Sequence, residues 1–129
     1  MRVLVAGSRT WGDEESVNRV LQWAYGLAVA SGRWQFTVVE GCCPTGADRH
    51  ATNWVTRHAG KWNVVPMSLE HHPPKGHGSL YLKQRNVGMA DSRPDLAFVF
   101  MKGQTPGSMH MIDELALRGV TTYVVPWTK

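Results

Sequence analysis

At 129 residues, with 43% hydrophobic and 19% charged residues, the chain has the size and make-up of one soluble globular domain, residues 1–129, which excludes a disordered or fibrous chain. Nine Arg and five Lys against ten carboxylates leave a net charge of +4, which favours phosphate-bearing partners, polymeric or small. No apolar run is long enough to cross a bilayer, and the adjacent Cys42 and Cys43 cannot frame a disulfide scaffold, so the reading is a cytoplasmic protein with no membrane partner.

Periodicity divides the chain into alternating short strands and helices. The first strand is expected over Arg2 to Ala6; its single basic residue and early glycine turn are not those of a signal peptide. A helix should follow from Asp13 to Ala30, with Asp13 as N-cap, Glu14 and Glu15 at the positive end, and Val17, Val20, Leu21, Ala24, Leu27 and Ala28 at helical spacing. Phe36 to Val39 forms the second strand and Ala47 to Ala59 the second helix, its apolar face built on Ala51, Trp54 and Val55. A third strand is read at Trp62 to Val65, ended by Pro66, and Ser68 to Gly78 then reads as one long polar loop. The remaining elements are a helix from Ser79 to Ala90, a strand from Leu96 to Phe100, a helix from Ser108 to Arg118 and a strand from Thr121 to Val125.

Strands alternating with helices imply an α/β fold, a Rossmann-like three-layer sandwich with a five-stranded, mostly parallel sheet covered on both faces. The first and fourth strands should then be neighbours at the point where the strand order reverses. Each of three apolar strands runs into a glycine-punctuated turn and then a helix: Gly7-Ser8-Arg9, Gly41 to Asp48, and Lys102 to Ser108. A turn of this kind presents free backbone N–H groups and the positive end of a helix, and so suits an anion. Gly41 and Gly46 permit a sharp bend and close approach of a phosphate. Asp48 either caps its helix or accepts a hydrogen bond from a ribose hydroxyl. Arg85 offers a planar fork for phosphate beside Asn86, which donates and accepts. Gly107-Ser108 either cradles phosphate or simply caps a helix. No Walker A loop and no GxGxxG is present.

The ordered set of Val3-Leu4-Val5-Ala6-Gly7-Ser8-Arg9 with Trp11, Gly41 to Asp48 with Trp54, Arg85-Asn86 with Met89-Ala90, Pro94-Asp95, and Gly107-Ser108 with Met111-Ile112 and Gly119-Val120 resembles the SLOG superfamily. That group joins the Rossmann domain of DNA-processing protein A to the Lonely Guy phosphoribohydrolases, and the likeness is to its small stand-alone YspA-like branch, found in bacteria and their phages. The resemblance implies a nucleotide or nucleotide-derived ligand at the carboxyl edge of the sheet, lined by Gly41 and Gly46, with Arg85 meeting phosphate or sugar and Gly107-Ser108 holding phosphate. Lonely Guy enzymes carry a catalytic glutamate where this chain has Met111, which can act as neither acid nor base. Turnover would require another group, with Asp48 and Arg85 the candidates.

Site residues are therefore expected at Gly7, Ser8, Arg9, Gly41, Gly46, Asp48, Arg85, Asn86, Gly107 and Ser108, with a small-molecule nucleotide as partner and no cofactor. A nucleotide N-glycosidase and a single-stranded nucleic-acid binder are the rival readings, and homo-oligomerisation is open. The pairs His71-His72 and Cys42-Cys43, with His77, lack metal-site spacing, so no metal is expected. Trp11 is placed to stack on a base, and His110 lies near the proposed crevice.

Overall fold

A computed structural model of the protein describes residues 1–61 and 64–129. Nine elements follow in chain order: β1 (Arg2–Gly7), α1 (Glu14–Ala30), β2 (Phe36–Glu40), α2 (Ala47–His58), β3 (Met67–His71), α3 (Ser79–Asp91), β4 (Leu96–Met101), α4 (Pro106–Leu117) and β5 (Thr121–Pro126). The five strands form one sheet in the order β3-β2-β1-β4-β5, every neighbouring pair parallel. This is the Rossmann-like arrangement, and the strand order reverses between β1 and β4.

Alternation along the strands divides the core in two. Val3, Val5, Phe36, Val38, Phe98 and Phe100 face α1 and α2, where they pack with Val17, Leu21, Ala24, Trp54 and Val55. Leu4, Ala6, Val39, Ala97 and Val99 face α3 and α4, meeting Met89, Ala90, Met111 and Leu115. Strands buried on both faces must be apolar at nearly every position, which is why β1, β2 and β4 read as continuous apolar runs.

The ends of the elements follow local rules. Asp13 caps α1 by accepting from the Ser16 N–H at 3.3 Å. Helix α4 begins earlier than its spacing suggests, with Thr105 as N-cap and Pro106 at its start, so Ser108 lies inside the first turn rather than at the cap.

The third strand differs from expectation. Trp62 and Asn63, the first half of the expected strand, lie outside the described residues. Val64 and Val65 are not in a strand, and the observed strand is Met67–His71, all but its first residue in the stretch expected to be loop. Met67-Ser68-Leu69-Glu70 alternates, as a half-covered edge strand does, whereas a solid apolar run suits only a central one. Polar partners occupy its other face. Thr37 and Ser68 share a hydrogen bond of 3.0 Å between hydroxyls, and Arg2 pairs with Glu70 at 2.6 Å. The Tyr25 hydroxyl pins the approach by bonding both the N–H and C=O of Val65. The shift in strand position carries His71 to the carboxyl edge, opposite Glu40 in the register.

Two glycines set the spacing of the carboxyl edge. A Cβ on Gly7 would lie 2.3 Å from the Phe100 carbonyl oxygen of β4. Gly46 has φ of 78°, and a Cβ there would lie 2.3 Å from the Ser8 carbonyl oxygen and 2.7 Å from the Arg9 Cα. Backbone atoms cannot yield as a side-chain tip does. Gly46→Ala is expected to lower unfolding free energy by about 2–4 kcal/mol, from left-handed strain and backbone collision together. Gly12→Ala, at a position with open space around it, should stay within about 0.5 kcal/mol; urea midpoints of the two variants check the difference.

Candidate nucleotide-binding crevice

At the reversal point the turns after β1 and β4 face one another and are tied by Ser8. Its N–H donates to the Phe100 carbonyl at 2.9 Å, and its hydroxyl accepts from the Lys102 N–H at 2.9 Å. A crevice of about 370 Å3 opens beside this tie, lined by Ala6 to Thr10, Cys43, Leu82, Arg85, Asn86, Thr105, Gly107, Ser108 and Met111. The structure thus brings Gly7, Ser8, Arg9, Arg85, Asn86, Gly107 and Ser108 together on one wall system.

Gly41, Gly46 and Asp48 stand behind that wall as supports. Gly46 lets the start of α2 press on Ser8 and Arg9, as above. Gly41 lies against the Arg85 guanidinium, where a Cβ would come within 2.9 Å. Asp48 is buried, and one of its carboxylate oxygens accepts from the N–H groups of Gly41 and Cys43 at 3.2 and 3.4 Å. It staples the turn shut.

Arg85 is held by neutral acceptors. Nη1 donates to the Gly41 carbonyl at 3.3 Å and Nη2 to Asn86 Oδ1 at 3.1 Å, while Nε is buried without an acceptor. No carboxylate forms a salt bridge with it among the described residues, and the exposed Arg9 likewise has none. Two cations without a salt-bridge partner among the described residues therefore border one crevice, with the Asp48 carboxyl near enough to Arg85 to feel its charge. Asn86 is fully engaged: Nδ2 reaches the Gly107 carbonyl and His110 Nδ1, both at 3.2 Å, so it clamps α3 to α4. His110 in turn approaches Glu114 Oε1 at 3.3 Å. Ser108 donates its N–H to Thr105 Oγ1 at 3.3 Å and shares a hydroxyl bond with it at 2.9 Å.

Met111 is buried and lines the crevice, so this position offers neither an acid nor a base there. Asp48 and Glu40 are the buried carboxylates among the described residues, and neither lines the crevice. The thiols are poor nucleophiles: burial, and then Glu40, push Cys42 up to about 11, while burial and Asp48 raise Cys43. Trp11 is a core residue rather than a base platform. It is buried, its ring meets Phe100 and Trp127 edge-on at 5.2 and 5.0 Å, and its indole N–H serves Asp13 and Ser16.

Sequence reasoning missed Glu40, and weighed its neighbour His71 only as a metal ligand lacking the spacing for a site. The signal was a carboxylate ending an otherwise apolar strand, together with the alternation of Met67 to Glu70. Glu40 is buried, and its carboxylate meets His71 Nδ1 and the Cys42 backbone N–H.

A parallel sheet reversing between β1 and β4, with a cationic crevice at its carboxyl edge, defines a Rossmann-like α/β fold. The family model for the YspA, cpYpsA-related SLOG family matches residues 1–72, and the chain belongs to that family. It is similar to the Gene 61 protein of Mycobacterium phage D29, at 29% identity over 126 residues covering 92% of this chain and 91% of that protein. No solved structure matches it.

Burial, opposed by Arg85 and reinforced by Glu40, pushes the Asp48 carboxyl up to about 6 from 3.8. The folded state then holds a proton that the unfolded state has released, so stability should fall as pH rises from about 4 to 6 and level off above. A fall on the order of 2–3 kcal/mol is expected, and Asp48→Asn should flatten it. Chemical unfolding across this range, in buffer containing a chelator, measures both.

Proposed function

We propose that this protein binds a nucleotide or nucleotide-derived ligand, of the nucleoside monophosphate, NAD or ADP-ribose class, in the carboxyl-edge crevice and acts as a sensor or regulator. The observation that carries this reading is Arg85, a guanidinium on the crevice wall with a buried Nε lacking an acceptor and no salt-bridged carboxylate among the described residues. Arg9 adds a second cation, and the Gly107 N–H in the first turn of α4 is of the kind that receives phosphate. The crevice volume lies within the range of about 300–1,000 Å3 usual for small-molecule sites.

Binding rather than turnover is supported by the chemistry of the walls. Cleaving a glycosidic bond calls for an acid, a base or a carboxylate that stabilises charge. Met111 lies where such a group would be useful, and Asp48 is occupied in bonding backbone amides on the far side of the turn.

Thermal unfolding against AMP, GMP, NAD, ADP-ribose, cyclic nucleotides and oligo-dT tests the reading. A ligand at a hundred times its Kd should add about 2.7 kcal/mol, a rise in Tm on the order of 10 °C for a domain of this size. Arg85→Ala should weaken binding by about 10- to 100-fold, the loss of a charged hydrogen bond to an anion. A shift with oligo-dT alone, or unchanged affinity in Arg85→Ala, would contradict it.

A further inference from the structure

Glu40, Cys42 and His71 meet at the carboxyl ends of β2 and β3, outside the crevice lining. One ligand atom from each lies within 4.8 Å of the other two. Carboxylate, thiolate and imidazole are together a donor set for zinc-like ions, whereas magnesium and calcium prefer oxygen alone. We propose that these residues form a binding site for a single zinc-class divalent cation, with the fourth coordination position open to solvent or ligand.

The three donors already converge, and the Glu40–His71 hydrogen bond must open for the ion to enter between them. Glu40 Oε1 points at both other donors: it lies 3.5 Å from Cys42 Sγ and in contact with His71 Nδ1. Donors around a tetrahedral zinc are separated by roughly 3.3–3.7 Å, given bond lengths of about 2.0–2.3 Å. The other oxygen of Glu40, Oε2, is fixed by the Cys42 N–H at 2.6 Å. This bond orients the carboxylate while leaving Oε1 free to ligate, the part an outer partner plays in metal sites. Cys42 itself sits at φ 59°, a left-handed conformation uncommon for a residue with a side chain. That strain turns the chain between Glu40 and Cys42 back on itself and brings residues i and i+2 to the same point.

Charge balance suits the place. On binding, the Cys42 S–H bond is replaced by an S–metal bond and the proton passes to solvent. A dication with two anionic ligands and a neutral imidazole leaves no net charge beside the buried Glu40, which is 1% exposed. The His71 side chain is half exposed, so the open position faces the surface and gives the ion a way in.

This inference does not depend on the nucleotide reading, because its probe is the metal alone. The chelator-stripped full chain is titrated with Co2+, and Zn2+ is then used to displace it, with no nucleotide present. The wild type should bind one equivalent and develop a thiolate-to-cobalt charge-transfer band in the near ultraviolet. Cys42→Ser should abolish the band, and His71→Gln should weaken binding by more than about 10-fold, since even outer-partner changes cost 10–100-fold. Cys43→Ser should leave both unchanged. Circular dichroism confirms folding, and if Cys42→Ser fails to fold, the half-exposed His71→Gln decides. No band in the wild type, an unaltered band in Cys42→Ser, unchanged affinity in His71→Gln, or loss in Cys43→Ser would overturn the assignment.

Discussion

The close approach of backbones at the carboxyl end of β1 is the constraint on which the rest of the structure depends. Gly7 lies flush against the Phe100 carbonyl of β4, and the amino end of α2 presses onto Ser8 and Arg9 at Gly46. The Ser8 hydroxyl then receives the Lys102 amide across the reversal of strand order. Three chain segments far apart in sequence are thereby drawn to one place, with the exposed Arg9 beside the crevice. A side chain at Gly7 or Gly46 would separate the segments and widen the crevice. The parallel sheet supplies the frame, and these contacts fix its working edge.

Behind this edge stands a second layer whose role is support. Asp48 bonds two amides of the turn after β2 at the expense of a buried carboxylate, and Asn86 joins α3 to the first turn of α4. Arg85 lies between these two residues. Its bonds are to a carbonyl, an amide oxygen and the Cys43 sulfur, so its position is held while its charge is not met by a bonded carboxylate. Structural bonds to neutral groups are a way to hold a cation ready for an anion without satisfying it in advance.

The central strands were legible because burial on both faces leaves only apolar residues, and a turn with glycine must follow each. Seven of the ten candidate residues line one crevice for the same reason: they lie at the ends of β1 and β4 or on the helices beside them. Gly41, Gly46 and Asp48 carried the right local signal, yet a turn residue's sequence does not say which side of the turn meets the ligand. Trp11 illustrates the same limit, because an aromatic after a turn can face the core or the solvent. The edge strand was misplaced because half its residues are polar, and with it went the meeting of Glu40, Cys42 and His71. Residues thirty positions apart become neighbours only through register, and the register here is set by Phe36 opposite Met67.

The proposed place of an anionic nucleotide-class ligand is the edge between β1, α3 and α4. Titration of 15N-labelled protein with the best-stabilising ligand of the panel, read as amide chemical-shift changes, addresses it residue by residue. The account expects the largest changes at Gly7 to Thr10, Cys43 and Thr105 to Ser108, with the Arg85 Nε–H resonance moving as its buried donor gains an acceptor. Changes centred instead on the concavity at the opposite end of the sheet, among Arg93, Asp95, Arg118 and Thr121, would contradict it.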